Sequence, residues 1–536
     1  MTEIKSDCKS CNDLTARLDR LEKRLEAQED ATAHWHKRWG IVSKELKVAN
    51  GRISVLEAEN TKLKKTIVKK DARISNLEKM LFSPTTEVSA TNSEPEEIWE
   101  AAPPKKRRGK QPGSQGHGRK IRCNLPVEEQ AHDVPDAEKR CKNCGCSRER
   151  LPFTEDSEEI HYSYKLVRIK HKRLKYKRIC KCTNEPAIIT ASTTDKLIPK
   201  GLFSTEFWAH VLLEKFLLQR PISRICLSLE LNGLSVSDGT ICSGLKQLTK
   251  LFAPIYNAIR TRTKSATHWQ MDETHWQVFT DLMGKDNHKW WLWVTETSDA
   301  SLFVLDPSRS SSVPLRVLSD VKAGVLTCDR YSAYKPVFEQ GVLLSYCWAH
   351  VRRDFINLGD GYPKQKRFAE GWIKDIDKLF FLNKQRQPDS LADLEIRGLC
   401  ERMERKAQRI LKKRDSSDET KAVLSSLMKH WAGLTLFLEH PSIPLDNNAS
   451  ERALRNPVVG RKNYYGSRAI WSGWLSSMLF SIFATVRKNN QDPQQYLIRY
   501  LKACAQNKGS PPADISEFLP WLNRDKTPTL SIARVY

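Results

Sequence analysis

Two aspartates stand at positions where carboxylates are unusual. Asp272 interrupts the aromatic and apolar segment THWQMDETHWQVF, and Asp329 ends the apolar segment GVLTCD. Both segments have the composition of buried β-strands, in which an acid is costly unless it is paired or binds a cation. Glu273 follows Asp272 but is expected on the opposite face, because side chains alternate along a strand. Asp272 and Asp329 are therefore candidate ligands of a divalent cation.

A third candidate carboxylate is Glu451, in the segment LDNNASERALRNPVVGRKNYYGS at 445–467. Three acids can hold two divalent ions about 4 Å apart for in-line attack on phosphorus. Asn447 or Asn448 is predicted to cap a short helix with Glu451 in its first turn, surrounded by phosphate-binding cations: Arg452, Arg455, Arg461 and Lys462. The alternative is an ordinary surface helix with a Glu451–Arg455 ion pair. The two aspartates favour the metal site.

The elements expected to position these acids are five strands, at 267–279, 290–295, 301–306, 324–329 and 343–348, with a helix at 314–321 before the fourth. Three adjacent strands followed by two helix-connected strands match the order of a ribonuclease H-like mixed sheet with helices on its faces. In that order the first and fourth strands are neighbours. Asp272 and Asp329 would then converge on one metal pair.

Asp329 and Glu451 are 122 positions apart, which is too long for a loop. The Lys, Arg, Glu and Leu content of residues 361–440 predicts an all-helical insertion that contacts DNA or a partner subunit. His350, Arg352 and Arg353 follow the fifth strand and are candidates to reach the scissile phosphate or the flanking backbone. A structural histidine with solvent-facing arginines is an equally good interpretation.

The charge of the chain limits the class of partner. Its 536 residues include 89 Lys and Arg against 64 Asp and Glu, a net charge of +25. With no apolar run of about 18 residues and no signal-like start, neither a membrane span nor secretion is expected, and nucleic acid is the leading partner. Seven Lys or Arg lie at 105–120 and nine at 165–182. The candidate DNA-binding cations in these two segments are Lys105, Lys106, Arg107, Arg108, Lys110, Arg119, Lys120, Lys170, Lys172 and Arg173. The alternative for the segment at 105–120 is a solvated tail.

Fourteen cysteines, several of them closely paired, indicate thiols or metal ligands in a reducing cytosol. Cys141, Cys144, Cys180 and Cys182 are predicted to bind a structural Zn²⁺ ion, with Cys146 as an alternate ligand. A CxxC knuckle and a second pair at the end of a strand suit tetrahedral thiolate coordination. Residues 157–179 alternate apolar and basic side chains, as a pair of strands would. Because the second pair is CxC, free or redox-active thiols remain the alternative.

Two further modules are predicted from helical periodicity. An apolar heptad runs from Leu14 to Leu81, with Asn60 at a core position, and predicts a two-stranded coiled coil. The alternative is a long helix packed on its own chain. Residues 204–252 are helical in pattern, and a helix, a turn through Asn232-Gly233 and a second helix after Ser237 fit a helix-turn-helix.

Longer motifs run through the chain: PPKKRRGKQPGSQGH, CKNCG, KFLLQRPISR, MDETHWQV, CDRYSAY, CWAHVRRDF, DNNASERALRNPVVGRKNYYGS, DPQQYLIRYL and FLPW. Together they resemble the insertion sequence 66 family of bacterial transposases over nearly the whole chain. The resemblance implies an acidic catalytic triad of the DDE type at Asp272, Asp329 and Glu451, holding two Mg²⁺ ions or Mn²⁺ in their place. It also implies a zinc module and a dimerising zipper. Arg330 stands where the family usually has Gly, and CxC replaces a second CxxC.

We therefore expect a multidomain α+β DNA transposase, a Mg²⁺-dependent polynucleotidyl transferase that binds terminal inverted repeats, cleaves DNA and transfers the freed 3′-hydroxyl. The alternatives are a catalytically inactive dimeric DNA-binding regulator and a ribonuclease H-like nuclease without strand transfer. Expected partners are the DNA of the element ends and target, a second or further copy of the chain, and companion proteins of the same element. The expected location is the bacterial cytoplasm, at the nucleoid when bound to DNA. The expected domains are a coiled coil (1–82), a basic linker and DNA-binding arm (83–120), a zinc module (121–200), a helix-turn-helix (201–264), the catalytic core (265–360 and 441–490), the helical insertion (361–440) and a C-terminal helical segment (491–536).

Overall fold

The computed structural model describes residues 9–82, 146–147, 166–177, 188–192, 194–280, 289–387 and 390–522. They fall into two units: Met1–Ser83, Arg173–Glu230 and Ser235–Tyr536 form one, and Pro84–Lys172 with Leu231–Leu234 the other. The chain is a mixed α+β protein with a mixed sheet and a long N-terminal helix. The basic arm at 105–120 and the zinc candidates Cys141, Cys144, Cys180 and Cys182 lie outside the described residues.

The strands are short except for the two at the centre of the larger sheet: β1 (Lys175–Lys177), β2 (Ile188–Thr190), β3 (His268–Val278), β4 (Lys289–Glu296), β5 (Ser301–Asp306), β6 (Val325–Cys328), β7 (Leu343–Tyr346) and β8 (Gly466–Ser467). The helices range from one turn to the length of α1: α1 (Lys9–Phe82), α2 (Thr205–Phe216), α3 (Ile222–Leu231), α4 (Asp238–Leu248), α5 (Ala253–Lys264), α6 (Ser312–Val317), α7 (Lys335–Phe338), α8 (Trp348–Gly361), α9 (Lys366–Gln385), α10 (Leu391–Lys412), α11 (Asp418–Lys429), α12 (Trp431–Leu434), α13 (Asn448–Tyr464), α14 (Ile470–Lys488) and α15 (Pro493–Gln506).

The larger sheet has the strand order β5-β4-β3-β6-β7, and β8 pairs with the far end of β3. β3, β4 and β5 are antiparallel neighbours, whereas β6 and β7 run parallel to β3. All five predicted strands are present within a few residues of their expected ends. The predicted adjacency of the first and fourth strands is also confirmed, because β3 pairs directly with β6.

Helix α14 covers the outer edge of this sheet. An edge strand exposes unpaired backbone N–H groups that favour unwanted strand pairing. The hydroxyls of Ser481 and Thr485 on α14 accept the N–H groups of Phe303 and Ser301 on β5, over 2.8 and 3.0 Å. The polar residues of this otherwise buried helix therefore close the sheet at β5.

Between the fifth strand and α13, the described residues form helices α8 to α12 joined by turns and contain no strand, which agrees with the predicted helical character of this segment. Helices α8 to α12 enclose an apolar core of their own, which includes Trp348, Phe355, Trp372 and Leu399. The Phe355 and Trp372 rings stack with centroids 5.0 Å apart and join α8 to α9. The insertion therefore packs on α8, the helix that follows β7.

The N-terminal helix α1 is continuous through Gly40 and Gly51, and its apolar stripe is exposed. Leu25, Leu46 and Leu63 each expose about 60% of their surface (59, 59 and 61%), so these stripe positions are not packed on the rest of the chain. Among the α1 side chains that the structure describes, Ala72 near the end of the helix is the buried one, and it contacts Gly361 of α8. No helix among the described residues is both long and apolar enough to cross a membrane.

The prediction of a strand pair at 157–179 is wrong for the residues that the structure describes there, 166–177. Only β1 is a strand there, and it pairs antiparallel with β2, which lies beyond the second cysteine pair. Val167, Ile169 and Leu174 are each more than 60% exposed (66, 66 and 63%), so the alternating residues lack the buried face that stabilises a strand. Cys146, the alternate zinc ligand, is exposed and unpaired with another cysteine.

Candidate active site

Asp272 lies in the middle of β3, on the face of the sheet that α13 covers. Its same-face neighbours both bond to α13. The Ala449 N–H donates to Gln270 Oε1 over 3.1 Å, and Arg461 Nη1 donates to Thr274 Oγ1 over 2.7 Å. The Asp272 carboxyl is thereby placed between two points at which α13 is attached to the strand.

Asp329 follows β6 directly, at the same edge of the sheet. β3 and β6 are parallel, and their register aligns Gln270 with Thr327. Asp272 and Asp329 each lie two residues beyond that aligned pair, so the sheet brings them side by side. The Tyr331 N–H donates to Asp329 Oδ1 over 2.9 Å, which holds the carboxylate at the start of the following turn.

Glu451 reaches this edge on the first turn of α13. The Asn447 side chain donates from Nδ2 to the Met271 carbonyl over 2.7 Å, and so attaches the start of the helix to β3 beside Asp272. The predicted capping role of Asn447 is therefore wrong for its side chain: Asn447 is the N-cap residue, but the amide bonds to the strand instead. The hydroxyl of Ser450 donates to the Asn447 carbonyl over 2.9 Å within the same turn.

The helix that carries Glu451 is 17 residues long, not the short helix predicted. Ser450, Leu454, Pro457 and Gly460 are buried along one side, and this spacing keeps the helix in contact with the sheet beyond its proline. At about 1.5 Å rise per residue, Arg461 lies roughly 15 Å along the axis from Glu451, so Arg461 and Lys462 do not surround the acid. The ion pairs of the described residues do not include Glu451 with Arg455.

Among the described residues, none of the three acids forms an ion pair with a lysine or an arginine. Burial, together with the negative charges of Glu273, Glu451 and Asp329, raises the pKa of Asp272 to about 8. One opposing contact is the Glu273 N–H, which donates to Asp272 Oδ1 over 2.8 Å. Asp272 therefore lies among other acids and has no cationic partner of its own in the described residues.

Glu273 is held on the opposite face, as the alternation predicts. Its side chain is 1% exposed and accepts Arg309 Nε and Nη2 over 2.9 and 2.8 Å, together with the Tyr334 hydroxyl. The Arg309 guanidinium lies 4.0 Å from the Tyr331 ring centre and 4.5 Å from that of Trp291. Sequence reasoning missed this arrangement, because Arg309 is in a loop whose sequence shows no functional pattern. Burial raises the pKa of Glu273, but unlike Asp272 it has an ion-pair partner in Arg309, which opposes the rise.

His350 lies next to Glu451, a contact that neither sequence-based interpretation of this histidine specified. Its Nε2 lies 3.8 Å from Glu451 Oε1, and burial lowers its pKa, opposed by the charges of Glu451 and Asp329. Cys347, three residues earlier, was not predicted. Potential ligand atoms of Cys347, His350 and Glu451 all lie within 4.8 Å of one another. Burial raises the pKa of the Cys347 thiol to about 12.

Several predicted DNA-binding cations have partners within the protein. Arg352 binds Asp377 of α9 through Nε and Nη2, over 2.6 and 3.2 Å. Arg461 also donates to the His275 carbonyl over 2.6 Å. Arg330, the departure from the family's usual Gly, donates to Ser426 over 3.0 Å and forms an ion pair with Asp354, so it connects α8 to α11 next to Asp329.

The remaining described candidates differ in their surroundings. Burial raises the pKa of Asp446, and the nearby charge of Arg452 opposes that rise; burial lowers the pKa of His350, and the charge of Arg353 lowers it further. Lys170, Lys172 and Arg173 are exposed, and Arg173 Nε donates to the Ala191 carbonyl over 2.6 Å.

Residues 200–474 match the model of the family described as "Transposase IS66 family". The chain belongs to this family. The matched region contains α2 to α13 and with them Asp272, Asp329, Glu451, Cys347 and His350, so the resemblance inferred from the motifs is confirmed. As a member of the IS66 transposase family, the chain is expected to process DNA.

Relatives with similar sequences occur in Sinorhizobium fredii (strain NBRC 101917 / NGR234). The chain is 25% identical to the uncharacterized protein y4hP in an alignment of 418 residues that covers 71% of this chain and 73% of that protein. It is 23% identical to the uncharacterized protein y4jD over 427 residues, covering 74% of this chain and 81% of the relative. The similarity therefore extends beyond the residues that the family model matches.

Proposed function

We propose that this IS66-family protein is a DDE-type DNA transposase in which Asp272, Asp329 and Glu451 are the catalytic acids. The observation that carries the proposal is the attachment of the α13 N-terminus to β3 through Asn447, beside the β3–β6 register that aligns the two aspartates. Acids that are 57 and 122 positions apart in sequence are thereby brought to one edge of the sheet. The strand order, with β3 between β4 and β6, supports a ribonuclease H-like catalytic domain.

The donor set at this edge fits divalent metal ions with oxygen preference. Asp272 has a raised pKa because it is buried and has acidic neighbours, and a buried cluster of acids without a cation partner favours cation binding. Asp272, Asp329 and Glu451 would hold two Mg²⁺ ions, or Mn²⁺ in their place. Bound there, such ions supply Lewis-acid activation of the attacking oxygen and stabilisation of the leaving oxygen.

The protein's own residues would orient the DNA strand around these acids. Glu273 is ion-paired with Arg309 and accepts the Tyr334 hydroxyl, so it would keep β3 and the loop after β5 in place without competing for the metal. Arg452 and Arg455, on the first two turns of α13, would contact the phosphates next to the scissile one. A water molecule and then the freed 3′-hydroxyl would be the attacking groups, so no side-chain nucleophile is required.

Recognition of the element ends is proposed for the segments before the catalytic core. The helices α3 and α4 form the proposed helix-turn-helix, in which Gly233 takes a left-handed φ of 85° at the turn. Ser237 caps α4 by accepting the Thr240 N–H over 3.2 Å. The exposed side of α4, with Ser243, Lys246 and Gln247, would read base edges in the major groove.

Three further modules are part of the proposal. The basic linker and arm at 83–120 would bind DNA, and the module at 121–200 would bind zinc through Cys141, Cys144, Cys180 and Cys182. The insertion at 361–440 would contact DNA or a partner subunit. A dimer through α1 is supported by its exposed leucines, since heptad leucines are stabilised when buried against a second helix. Companion proteins of the same element would join this assembly.

The catalytic proposal is tested by three separate substitutions: Asp272→Asn, Asp329→Asn and Glu451→Gln. Each is expected to reduce Mg²⁺-dependent cleavage of DNA carrying the element ends by at least about 100-fold, because a metal ligand is lost. Asp320→Asn is the matched control, since Asp320 belongs to the same domain and its side chain is 91% exposed. Full cleavage by any of the three variants would remove that residue from the proposed triad.

The same assay separates the alternatives. A DNA-binding regulator without catalysis would bind the element ends but show no Mg²⁺-dependent cleavage in the wild-type protein. A nuclease without strand transfer would cleave the ends but leave a supplied target plasmid unjoined. Joined products that disappear in the three variants support the transposase.

A further inference from the structure

We infer that Cys347, His350 and Glu451 form a binding site for a thiophilic divalent metal ion such as Zn²⁺. An ion bound there would take Glu451 away from the proposed catalytic Mg²⁺ site and inhibit strand cleavage. The inhibitory part rests on the proposed function, because it depends on Glu451 serving the catalytic ions. The binding part does not.

The first argument is geometric. Cys347 Sγ, one imidazole nitrogen of His350 and one carboxylate oxygen of Glu451 lie within 4.8 Å of one another, and no other three His, Cys, Asp or Glu side chains in the described residues do so. Ligands of one ion bound at 2.0–2.3 Å are separated by roughly 3–4 Å, so small side-chain adjustments would bring all three onto a common ion. The site needs no movement of the backbone.

The second argument is that backbone hydrogen bonds fix the ligands relative to one another. Cys347 is the residue before α8, and His350 lies on its first turn. The Trp348 N–H donates to the Leu445 carbonyl over 2.8 Å, and the Asn447 N–H donates to Cys347 Sγ over 3.3 Å. These bonds join the start of α8 to the start of α13, which carries Glu451. The three ligands are therefore held by two helices that are tied together at their N-termini.

The third argument is an unsatisfied polar atom. His350 Nδ1 is buried and has no hydrogen-bond partner in the structure. A buried imidazole nitrogen without a partner costs about 1–3 kcal/mol, which metal coordination or a proton acceptor would recover. Such an atom next to a thiol and a carboxylate is expected where a ligand completes the site.

The chemistry of the donors selects the ion. Thiolate, imidazole and carboxylate together are a typical ligand set of Zn²⁺, whereas Mg²⁺ prefers oxygen ligands and retains water. Three protein ligands leave one tetrahedral position open, and the His350 and Glu451 side chains are 28% and 30% exposed, so an ion can enter from solvent. Asp272 and Asp329 offer only oxygen, so Mg²⁺ is expected to prefer them over the Cys347 and His350 donors.

Zinc stoichiometry of the full-length protein tests the site. Wild type, Cys347→Ser, Glu451→Gln and the control Cys328→Ser are loaded with Zn²⁺, desalted, and measured for bound metal. Cys328 is buried at the end of β6, next to Asp329, but does not belong to the ligand group. We expect Cys347→Ser and Glu451→Gln to hold one Zn²⁺ fewer than wild type and the control. Equal zinc content in all four proteins would overturn the site, since zinc at the other cysteines is common to all of them.

Inhibition is then measured with Mg²⁺ held constant and Zn²⁺ varied. Loss of an outer-shell partner lowers metal affinity by about 10–100-fold, and loss of a ligand should lower it at least as much. Cys347→Ser should therefore need at least about ten-fold more Zn²⁺ for half-inhibition. Equal sensitivity of Cys347→Ser and wild type would overturn the inhibitory role. If no cleavage is found under any condition, the proposed function fails, while the zinc stoichiometry still decides whether the site exists.

Discussion

Replacing Asp272 by asparagine is expected to stabilise the metal-free protein at neutral and alkaline pH, although it removes a proposed catalytic residue. The carboxyl has a pKa of about 8 in the folded protein against an ordinary value of 3.8, because it is buried among other acids. Between these values the folded protein retains a proton that the unfolded chain releases. Stability from the protonated carboxyl is therefore fully present below the unfolded pKa and is lost as pH rises through the folded pKa.

The size of the effect follows from the pKa difference. One pKa unit corresponds to about 1.4 kcal/mol, so at pH 7 the preference of the unfolded chain for the ionised form costs about 4 kcal/mol. Asparagine has nearly the same shape, carries no charge at any pH, and its Oδ1 can still accept the Glu273 N–H. Asp272→Asn should therefore raise the free energy of unfolding by about 2–4 kcal/mol at pH 7–8 and change it little near pH 4.

Urea unfolding followed by tryptophan fluorescence, in the presence of a chelator, measures this difference. Asp320→Asn is the control, and a surface change of this kind should alter stability by less than about 0.5 kcal/mol. Added Mg²⁺ should stabilise the wild type and leave Asp272→Asn nearly unchanged, because the ions bind only the folded, ionised site. A variant that is equally or less stable than wild type at pH 8 would refute the argument that Asp272 lies in an uncompensated acidic site.

Three further predictions concern other parts of the chain. Gly244→Ala should destabilise the α2–α4 packing by about 1–3 kcal/mol, since the new Cβ would lie 1.9 Å from the Trp208 ring; unchanged thermal unfolding would argue against that contact. Burial lowers the pKa of His268 below its ordinary value of 6.5, so the folded protein takes up a proton less readily and loses stability as pH falls below 6.5. His268→Gln should reduce this loss in melting curves between pH 5 and 7, and an identical pH dependence would contradict it. Leu56→Glu should convert a dimer to a monomer in light scattering, because Leu56 belongs to the heptad stripe. Val55→Glu is the control, since Val55 lies off the stripe and is equally exposed at 61%, and it should leave the dimer intact. A dimer in both variants would exclude this stripe as the interface.

Strand positions and the two aspartates could be predicted because their signals are local. Alternation of apolar residues around Asp272 and the short apolar run before Asp329 identify β3 and β6 without knowledge of the rest of the chain. The family motifs identified Glu451. The helical insertion was predicted in the same way, from composition and length. For the strands the information lies within about ten neighbouring residues, whereas the insertion was predicted from the composition of residues 361–440 as a whole.

The partners of individual side chains could not be predicted, since they depend on how distant elements pack. The alternation that identifies β1 also continues through residues 166–174, which are not a strand. The prediction failed there because the sequence pattern does not reveal whether other parts of the protein will cover one face of the strand. Nothing near Asn447 indicates that its amide bonds to Met271, and nothing near Arg461 indicates that it bonds to Thr274. Both bonds exist because α13 lies along β3.

By itself, the sequence determined which residues are acids inside apolar strands, where the helices and strands begin, and which family the chain belongs to. Only the tertiary structure decided that Glu273 is ion-paired while Asp272 is not, and that Cys347 and His350 share Glu451 with the proposed catalytic site. The physical reason is that an ionisable group is governed by the charges, donors and solvent around it. Those surroundings come from residues about 36 to 179 positions away along the chain, which only the packing of α8 and α13 and of the loop after β5 brings into contact.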